Sequence, residues 1–245
     1  MKPALILLAA PLLLNLAACG QKDDGTAGAA AGAPIAKIAP PAGKTWADVV
    51  TTTADNGYLM GNPNAPLKLI EFASLTCSHC AEFAEKGLPK LRNDYIASGR
   101  VSLEFRNFIR DPYDATMAML TRCGSPESYF ALTEQVYTNQ KTILTALEPV
   151  GKALQGANVP QAQVFTVIGT RGGLIDFFAA RGIAKDQAEQ CLTKTDVATK
   201  LVDGVKSAEE KYNITGTPGF VLNGKNIEVS SWDGLEPILQ RAGAR

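Results

Sequence analysis

Residues 76–80 read TCSHC and hold two of the chain's five cysteines and its only histidine. Cysteines separated by two residues can form a redox pair, half of a zinc site or a structural staple. A thiol–disulfide enzyme needs one accessible cysteine of low pKa, because the thiolate is the nucleophile, and a second cysteine close enough to close the bridge. Cys77 falls where an apolar run gives way to a helix-forming segment. Unpaired N–H groups and the positive end of a helix dipole would stabilise a thiolate there. Cys80, one turn further in, is expected to be more buried and less reactive. A donating or charged imidazole at His79 would stabilise the same sulfur. Stabilising the thiolate stabilises the reduced pair, which makes the disulfide a stronger oxidant.

The other readings compete on the same residues. Structural zinc takes four ligands, often as two close pairs. Cys77 and Cys80 supply one pair, but Cys123 and Cys191 are singletons 68 residues apart and there is no second histidine. His79 would distort the turn if it shared a metal with both neighbours. A purely structural CxxC bridge is strained and closes little loop entropy. The plain alternative for His79 is an uninvolved surface or core residue.

The elements around the motif supply its context. LKLIEFASL, residues 67–75, reads as a buried strand. A helical segment follows through Tyr95, with Phe83, Leu88, Leu91 and Tyr95 at helical spacing and a kink expected at Pro89. VSLEFRNF, residues 101–108, alternates Val101, Leu103 and Phe105 inward as a second strand, completing a βαβ unit. Residues 112–212 show helical runs and no good strand. TGTPGFVLNGKNIEVSS, residues 215–231, reads as a hairpin turning at NGK, with Phe220 and Leu222 on one strand and Ile227 and Val229 on the other. An amphipathic helix carrying Leu235, Ile238 and Leu239 closes the chain. The order βαβ, helices, ββα makes the helices an insertion into a mixed sheet if both β halves share it.

The stretch LIEFASLTCSHCAEFAEKGLPKLRNDYIASGRVSLEFRNF resembles the start of DsbA-like thiol–disulfide oxidoreductases, and the likeness runs from about residue 57 to 242. The resemblance implies an α/β, thioredoxin-like fold with an inserted all-helical domain. Its first part spans residues 45–111, the insertion 112–212 and the second part 213–245. It implies Cys77 as nucleophile, Cys80 as resolving cysteine and Glu71 as a buried acid that helps move the proton of Cys80. It matches Pro218 to the family's cis-proline, with Thr217 before it offering backbone groups to an extended substrate. Against this stand an exposed edge-strand Glu71 and an ordinary trans turn at Pro218. Ser78 and Thr217 depart from the commonest oxidase pattern, where proline and valine stand, and leave oxidation or isomerisation open.

The first residues, MKPALILLAAPLLLNLAAC, have the layout of an export signal: Lys2, an apolar run from Ala4 to Ala18, then small residues. The run is about 15 residues, short of the roughly 20 needed to span a bilayer. LAAC resembles the lipobox of bacterial lipoproteins, which implies cleavage of residues 1–18 and lipid on Cys19. The alternative is an ordinary signal with a chance cysteine. Residues 19–44, rich in Gly, Ala and Pro, read as a flexible tether of at most about 75 Å reach. A chain held at the periplasmic side by Cys19 in a bacterial membrane, where Gly20 leaves the outer membrane open as its site, meets an oxidising compartment. With Cys19 set aside, Cys123 and Cys191 remain for a second, structural disulfide; two buried free thiols are the alternative.

Composition narrows the partners. The chain has 245 residues, 46% hydrophobic, with 24 basic and 24 acidic side chains. That balance leaves no electrostatic footprint for nucleic acid, and 7% aromatics make no stacking platform. No internal repeat and no flavin, metal or nucleotide motif is evident, so no cofactor is called for. The expected partners are unfolded or reduced exported proteins, a membrane redox partner or small oxidant that recharges the pair, and a lipid bilayer through Cys19. A disulfide isomerase or reductase is the alternative within the class. A non-catalytic or metal-binding chaperone-like lipoprotein is the alternative outside it.

Overall fold

The strand that carries the motif is central. In the computed structural model, which describes residues 32–245, β3 (Leu67–Ala73) is paired on both sides. The six strands are β1 (Val50–Thr52), β2 (Tyr58–Gly61), β3, β4 (Val101–Asn107), β5 (Gly219–Leu222) and β6 (Lys225–Asn226). Their order across the sheet is β1-β2-β4-β3-β5-β6. Only β3 and β4 run parallel, in register from Leu67↔Val101 to Ala73↔Asn107; the other pairs are antiparallel. Parallel neighbours require a crossover, which residues 74–100 provide.

Both faces of β3 are covered, which explains its continuous apolar run. Leu67, Leu69 and Ala73 join the larger core cluster with Phe83, Trp232, Leu235 and Leu239. Ile70 and Phe72 point the other way, against Ala208, Ile214 and Val221. The crossover begins with α1 (Ser78–Lys86), followed by α2 (Leu88–Lys90) and a π-helical turn (Leu91–Ile96). The break expected at Pro89 falls at Gly87, where a Cβ would come within 3.0 Å of the Phe83 ring and Trp232 Cβ. Phe83 stands 4.8 Å, centroid to centroid, from Phe220, so α1 is pinned to the sheet just beyond the cysteines.

Between β4 and β5 the described chain is helical: α3 (Pro112–Thr121), α4 (Tyr129–Thr138), α5 (Gln140–Gln155), α6 (Val164–Arg171), α7 (Leu174–Ala179), α8 (Lys185–Leu192) and α9 (Thr195–Tyr212). Pro112 and the Asp111 cap, which accepts from the N–H groups of Tyr113 and Asp114, start α3. The insertion has no core of its own. Met117, Leu120, Tyr129, Val136 and Phe178 belong to the same cluster as Leu69 and Leu103, while α9 covers the opposite face of the sheet. α10 (Trp232–Arg241) closes the fold, capped by Ser231.

Cys123 and Cys191 are joined in a disulfide between the end of α3 and α8, as the cysteine count favoured. In the loop-entropy account a closure of 68 residues restricts the unfolded chain by about 4 kcal/mol. The Cys123→Ala/Cys191→Ala variant is therefore expected to lose roughly 2–4 kcal/mol in urea unfolding, with the folded spectrum unchanged. A loss under about 0.5 kcal/mol would show that the bridge is mechanically idle.

Three expectations are corrected. Residues 32–38 of the expected tether are docked, not free. Gly32 N–H donates to Arg241 O at 2.7 Å, Ile35 N–H to Gly243 O at 2.9 Å and Ile38 N–H to Ser98 O at 2.9 Å. Arg100 Nε holds Ile35 O at 2.6 Å, and Trp46 Nε1 holds Ile38 O at 2.8 Å. Gly243, at φ +107°, is needed there, since a Cβ would lie 2.5 Å from Ala33 O. The signal, Cys19 and the start of the tether fall outside the described residues. Second, β1 and β2 were not expected. Third, the hairpin's return strand ends at Asn226, because Glu228 takes φ +50° and its N–H turns back to Asn226 Oδ1 at 2.9 Å.

Candidate active site

Cys77 is the N-cap residue of α1, at the end of the loop leaving β3. Its extended backbone (φ −87°, ψ 121°) places its side chain over the first turn. Across the site, the Thr217–Pro218 peptide is cis. The Cys77 thiol donates to Thr217 O at 3.3 Å. Cys77 is itself only 4% exposed, less open than the accessible nucleophile expected from the sequence; Cys80 is fully buried one turn on, and both thiols are free.

The electrostatics separate the two sulfurs. Cys77 is lowered from 9.0 to about 5. The chief cause is a hydrogen bond from the Cys80 thiol, opposed by burial and supported by Thr217 and by the backbone N–H groups of Cys80 and His79. Cys80 is pushed far up, first by burial, then by donating to Cys77 and by the negative fields of Glu71 and Cys77. One sulfur is thus a ready nucleophile and the other keeps its proton.

Glu71 is 3% exposed. It lies in the middle of β3, between its register partners Phe105 and Phe220. Burial, with the charge of Cys77 adding to it, raises its carboxyl from 4.5 to about 8. A buried acid that is protonated near neutrality can hand a proton to a departing thiolate. The buried-acid expectation for Glu71 and the cis geometry for Pro218 agree with this placement.

His79 differs from expectation. Its ring is 75% exposed and faces Glu82, 3.9 Å away on the next turn, while its backbone N–H supports Cys77. Residues two apart on a helix do not share a face. Cys123 and Cys191 are bonded to each other and cannot complete a zinc site with Cys77 and Cys80.

Sequence reading missed a ring of buried polar residues from the insertion. Asp114, fully buried, accepts from Leu75 N–H at 2.8 Å and Arg110 N–H at 3.0 Å. Gln140 donates through Nε2 to Leu75 O at 2.9 Å and Cys77 O at 3.0 Å. Tyr137 donates to Ser74 O at 3.2 Å, and Thr76 Oγ1 donates to Asp111 at 2.7 Å. Asp114, like Glu71, is raised by burial, to about 7, against the pull of its donors.

A family model described as thioredoxin matches residues 53–241. The chain belongs to the thioredoxin family. A solved structure from Novosphingobium aromaticivorans, described as a protein-disulfide isomerase, is 33% identical, with TM-score 0.72, covering 77% of this chain and 98% of that one. Wolbachia pipientis alpha-DsbA1 is 23% identical with TM-score 0.59 over 78% of this chain and 93% of its own, a likeness of fold. It agrees with the thioredoxin-like architecture carrying a helical insertion. A curated relative in Rickettsia prowazekii, whose name places it among the protein-disulfide oxidoreductases, is 24% identical over 188 residues, 77% of this chain. The chain spans 62% of that relative's length. Disulfide bond formation protein D of Bacillus subtilis is 21% identical over 188 residues, 75% of each chain.

Proposed function

We propose that the protein is an extracytoplasmic thiol–disulfide oxidoreductase that donates the Cys77–Cys80 disulfide to reduced protein substrates. The observation that carries the reading is Cys77 at the start of α1, 3.3 Å from Thr217 O, with Cys80 buried behind it. A substrate thiolate attacks Cys77 Sγ of the disulfide. The Cys77–Cys80 bond breaks, and the electron pair leaves on Cys80, which takes a proton from Glu71 or water. A second substrate thiolate attacks the substrate sulfur of the mixed disulfide and releases Cys77 as a thiolate. Two substrate thiols are oxidised and the enzyme pair is reduced by two electrons. An extracytoplasmic oxidant, either a membrane redox partner or a small disulfide, re-forms the bridge. Edge groups of Thr217 pair with the substrate backbone as an added strand.

The direction of transfer follows from the sulfurs. With Cys77 at about 5, the reduced form at pH 7 is favoured roughly a hundredfold over a pair with an ordinary nucleophile, equivalent to about 60 mV. That favours donation of the disulfide. The name of the Novosphingobium relative, and Thr217 before the cis-proline, support isomerisation as the second reading.

Export and the lipid on Cys19 belong to the same proposal. No helix among the described residues is long and apolar enough to cross a membrane.

Equilibration with glutathione tests the reading. The expected potential of Cys77–Cys80 is less negative than about −220 mV, and oxidised protein should pass its disulfide stoichiometrically to a reduced dithiol protein. A potential at or below about −270 mV, that of thioredoxin, defeats it. Faster rescue of a scrambled substrate by the reduced form than oxidation by the oxidised form favours the isomerase.

A further inference from the structure

The loop that delivers Cys77 leaves the sheet after Ala73, whose carbonyl accepts from Phe108 N–H at 2.8 Å. From there no strand is available to take its backbone groups, and each buried one needs another partner. Side chains of the insertion supply several of them. Leu75 is gripped at both ends of its residue: Asp114 accepts its N–H and Gln140 donates to its carbonyl. Gln140 also holds the carbonyl of Cys77, which at the same time accepts from Ala81 N–H at 3.1 Å in the first turn of α1. Asp114 sits in the first turn of α3 and Gln140 opens α5. Both side chains are buried, so water cannot readily replace them.

We propose that Gln140 and Asp114 are positioning residues for the reaction at Cys77. They hold residues 74–77 so that the first N–H groups of α1 face Cys77 Sγ and the thiol reaches Thr217 O. This rests on Cys77 being the nucleophile. Neither side chain touches the sulfur. Each acts through the backbone: the amide of Gln140 fixes the first carbonyl of α1, and the carboxyl of Asp114 fixes the peptide two residues earlier. The insertion is then a part of the thiolate's electrostatic environment as well as a cover for the sheet. The ionisable groups around this loop are Glu71 from β3, Asp111 and Asp114 from the start of α3, Tyr137 from α4 and Cys80 from α1. His79 on α1 and Arg110 before α3 are the nearest cation-forming residues, and neither side chain acts on Cys77. Its thiolate is held by the Cys80 S–H, Thr217 and the N–H groups of Cys80 and His79, so donor alignment decides its stability.

The test is the ultraviolet titration of the Cys77 thiolate in reduced protein. Gln140→Met keeps the volume and removes both donated hydrogen bonds. Asp114→Leu keeps the branched shape and removes the acceptor from both N–H groups at every pH. Each is expected to raise the Cys77 pKa by about one unit, a tenfold loss of thiolate at pH values below it. The rate of mixed-disulfide formation with a small aromatic disulfide at about pH 5 should fall several-fold in parallel. If the methionine variant does not fold, Gln140→Glu serves; it keeps a polar end, turns an acceptor toward two carbonyls, and raises the pKa further. The Cys123→Ala/Cys191→Ala variant is the control for instability alone and should titrate like the parent. Folded Gln140→Met and Asp114→Leu proteins that titrate within about 0.3 units of the parent overturn the proposal. A parent protein whose Cys77 forms no mixed disulfide overturns the enzymatic reading instead.

Discussion

A Cys80→Ser variant is expected to accumulate covalent complexes with its substrates, and a Cys77→Ser variant to form none. The asymmetry follows from the two sulfurs. Cys77 is the low-pKa group at the start of α1, at about 5, while Cys80 is fully buried and keeps its proton. In the proposed reaction a reduced Cys77 thiolate would attack a substrate disulfide, and Cys80 would be the group placed to displace the substrate again. Intramolecular attack within one helical turn enjoys a large effective molarity, so its loss should lengthen the life of the mixed disulfide at least about a thousandfold. Donation of a disulfide should be lost altogether, because no Cys77–Cys80 bridge can form. Serine is the replacement to use, because its hydroxyl can still donate to Cys77. The Cys80 thiol is the largest single contributor to the lowered pKa of Cys77. Cys80→Ala should therefore trap more slowly than Cys80→Ser at acidic pH. Mass spectrometry of non-reduced adducts reads the outcome, and adducts attached anywhere but Cys77 would sink the assignment.

Much of this site could be read from residue order alone, for a definite reason. The cysteine pair, the apolar run around Glu71 and the Thr217–Pro218 step are each local, and strand-to-helix punctuation places Cys77 without knowledge of the rest. What could not be read has partners far away in sequence. Asp114 and Gln140 look like ordinary helix-start residues; their roles appear only because Leu75, 39 and 65 residues away, lacks a strand neighbour. The docking of residues 32–38 depends on carbonyls of Ser98, Arg241 and Gly243, which no Gly/Ala/Pro pattern announces. β1 and β2 are three and four residues long, and Thr51 and Thr52 are exposed, so neither alternation nor a buried run marks them. His79 was misjudged in orientation: its place inside the CxxC motif is plain, but helix geometry turns its ring away toward Glu82.

The stability of the reduced protein rises relative to that of the oxidised protein as pH increases from about 5 to 8. In the unfolded chain Cys77 has an ordinary thiol near 9.0, and in the folded chain it is lowered to about 5. Between those values the unfolded state binds the proton and the folded state does not, so stability rises with pH; it is fully present above 9 and lost as pH falls through 5. In the oxidised protein this thiol does not titrate. Glu71 and Asp114 have the opposite sign. Burial raises their folded values to about 8 and about 7, above 4.5 and 3.8, so the folded state holds their protons longer. Their contribution is present below about pH 4 and lost as pH rises through 7 to 8, in both redox forms. The oxidised protein should thus weaken from about pH 5 to 8, while in the reduced protein Cys77 offsets part of that loss. The gap between the forms should widen by roughly 2 kcal/mol between about pH 5.5 and 7.5, less than the full thiol linkage because the thiolate also repels Glu71. Urea unfolding of both forms across this range measures it, with a count of two thiols confirming that Cys123–Cys191 stays bridged in the reduced sample. Glu71→Gln should flatten part of the decline in the oxidised form and leave the thiol linkage of the reduced form in place. A gap that does not change with pH would mean that Cys77 titrates as an ordinary thiol, and with it the electrostatic case for a disulfide donor would fail.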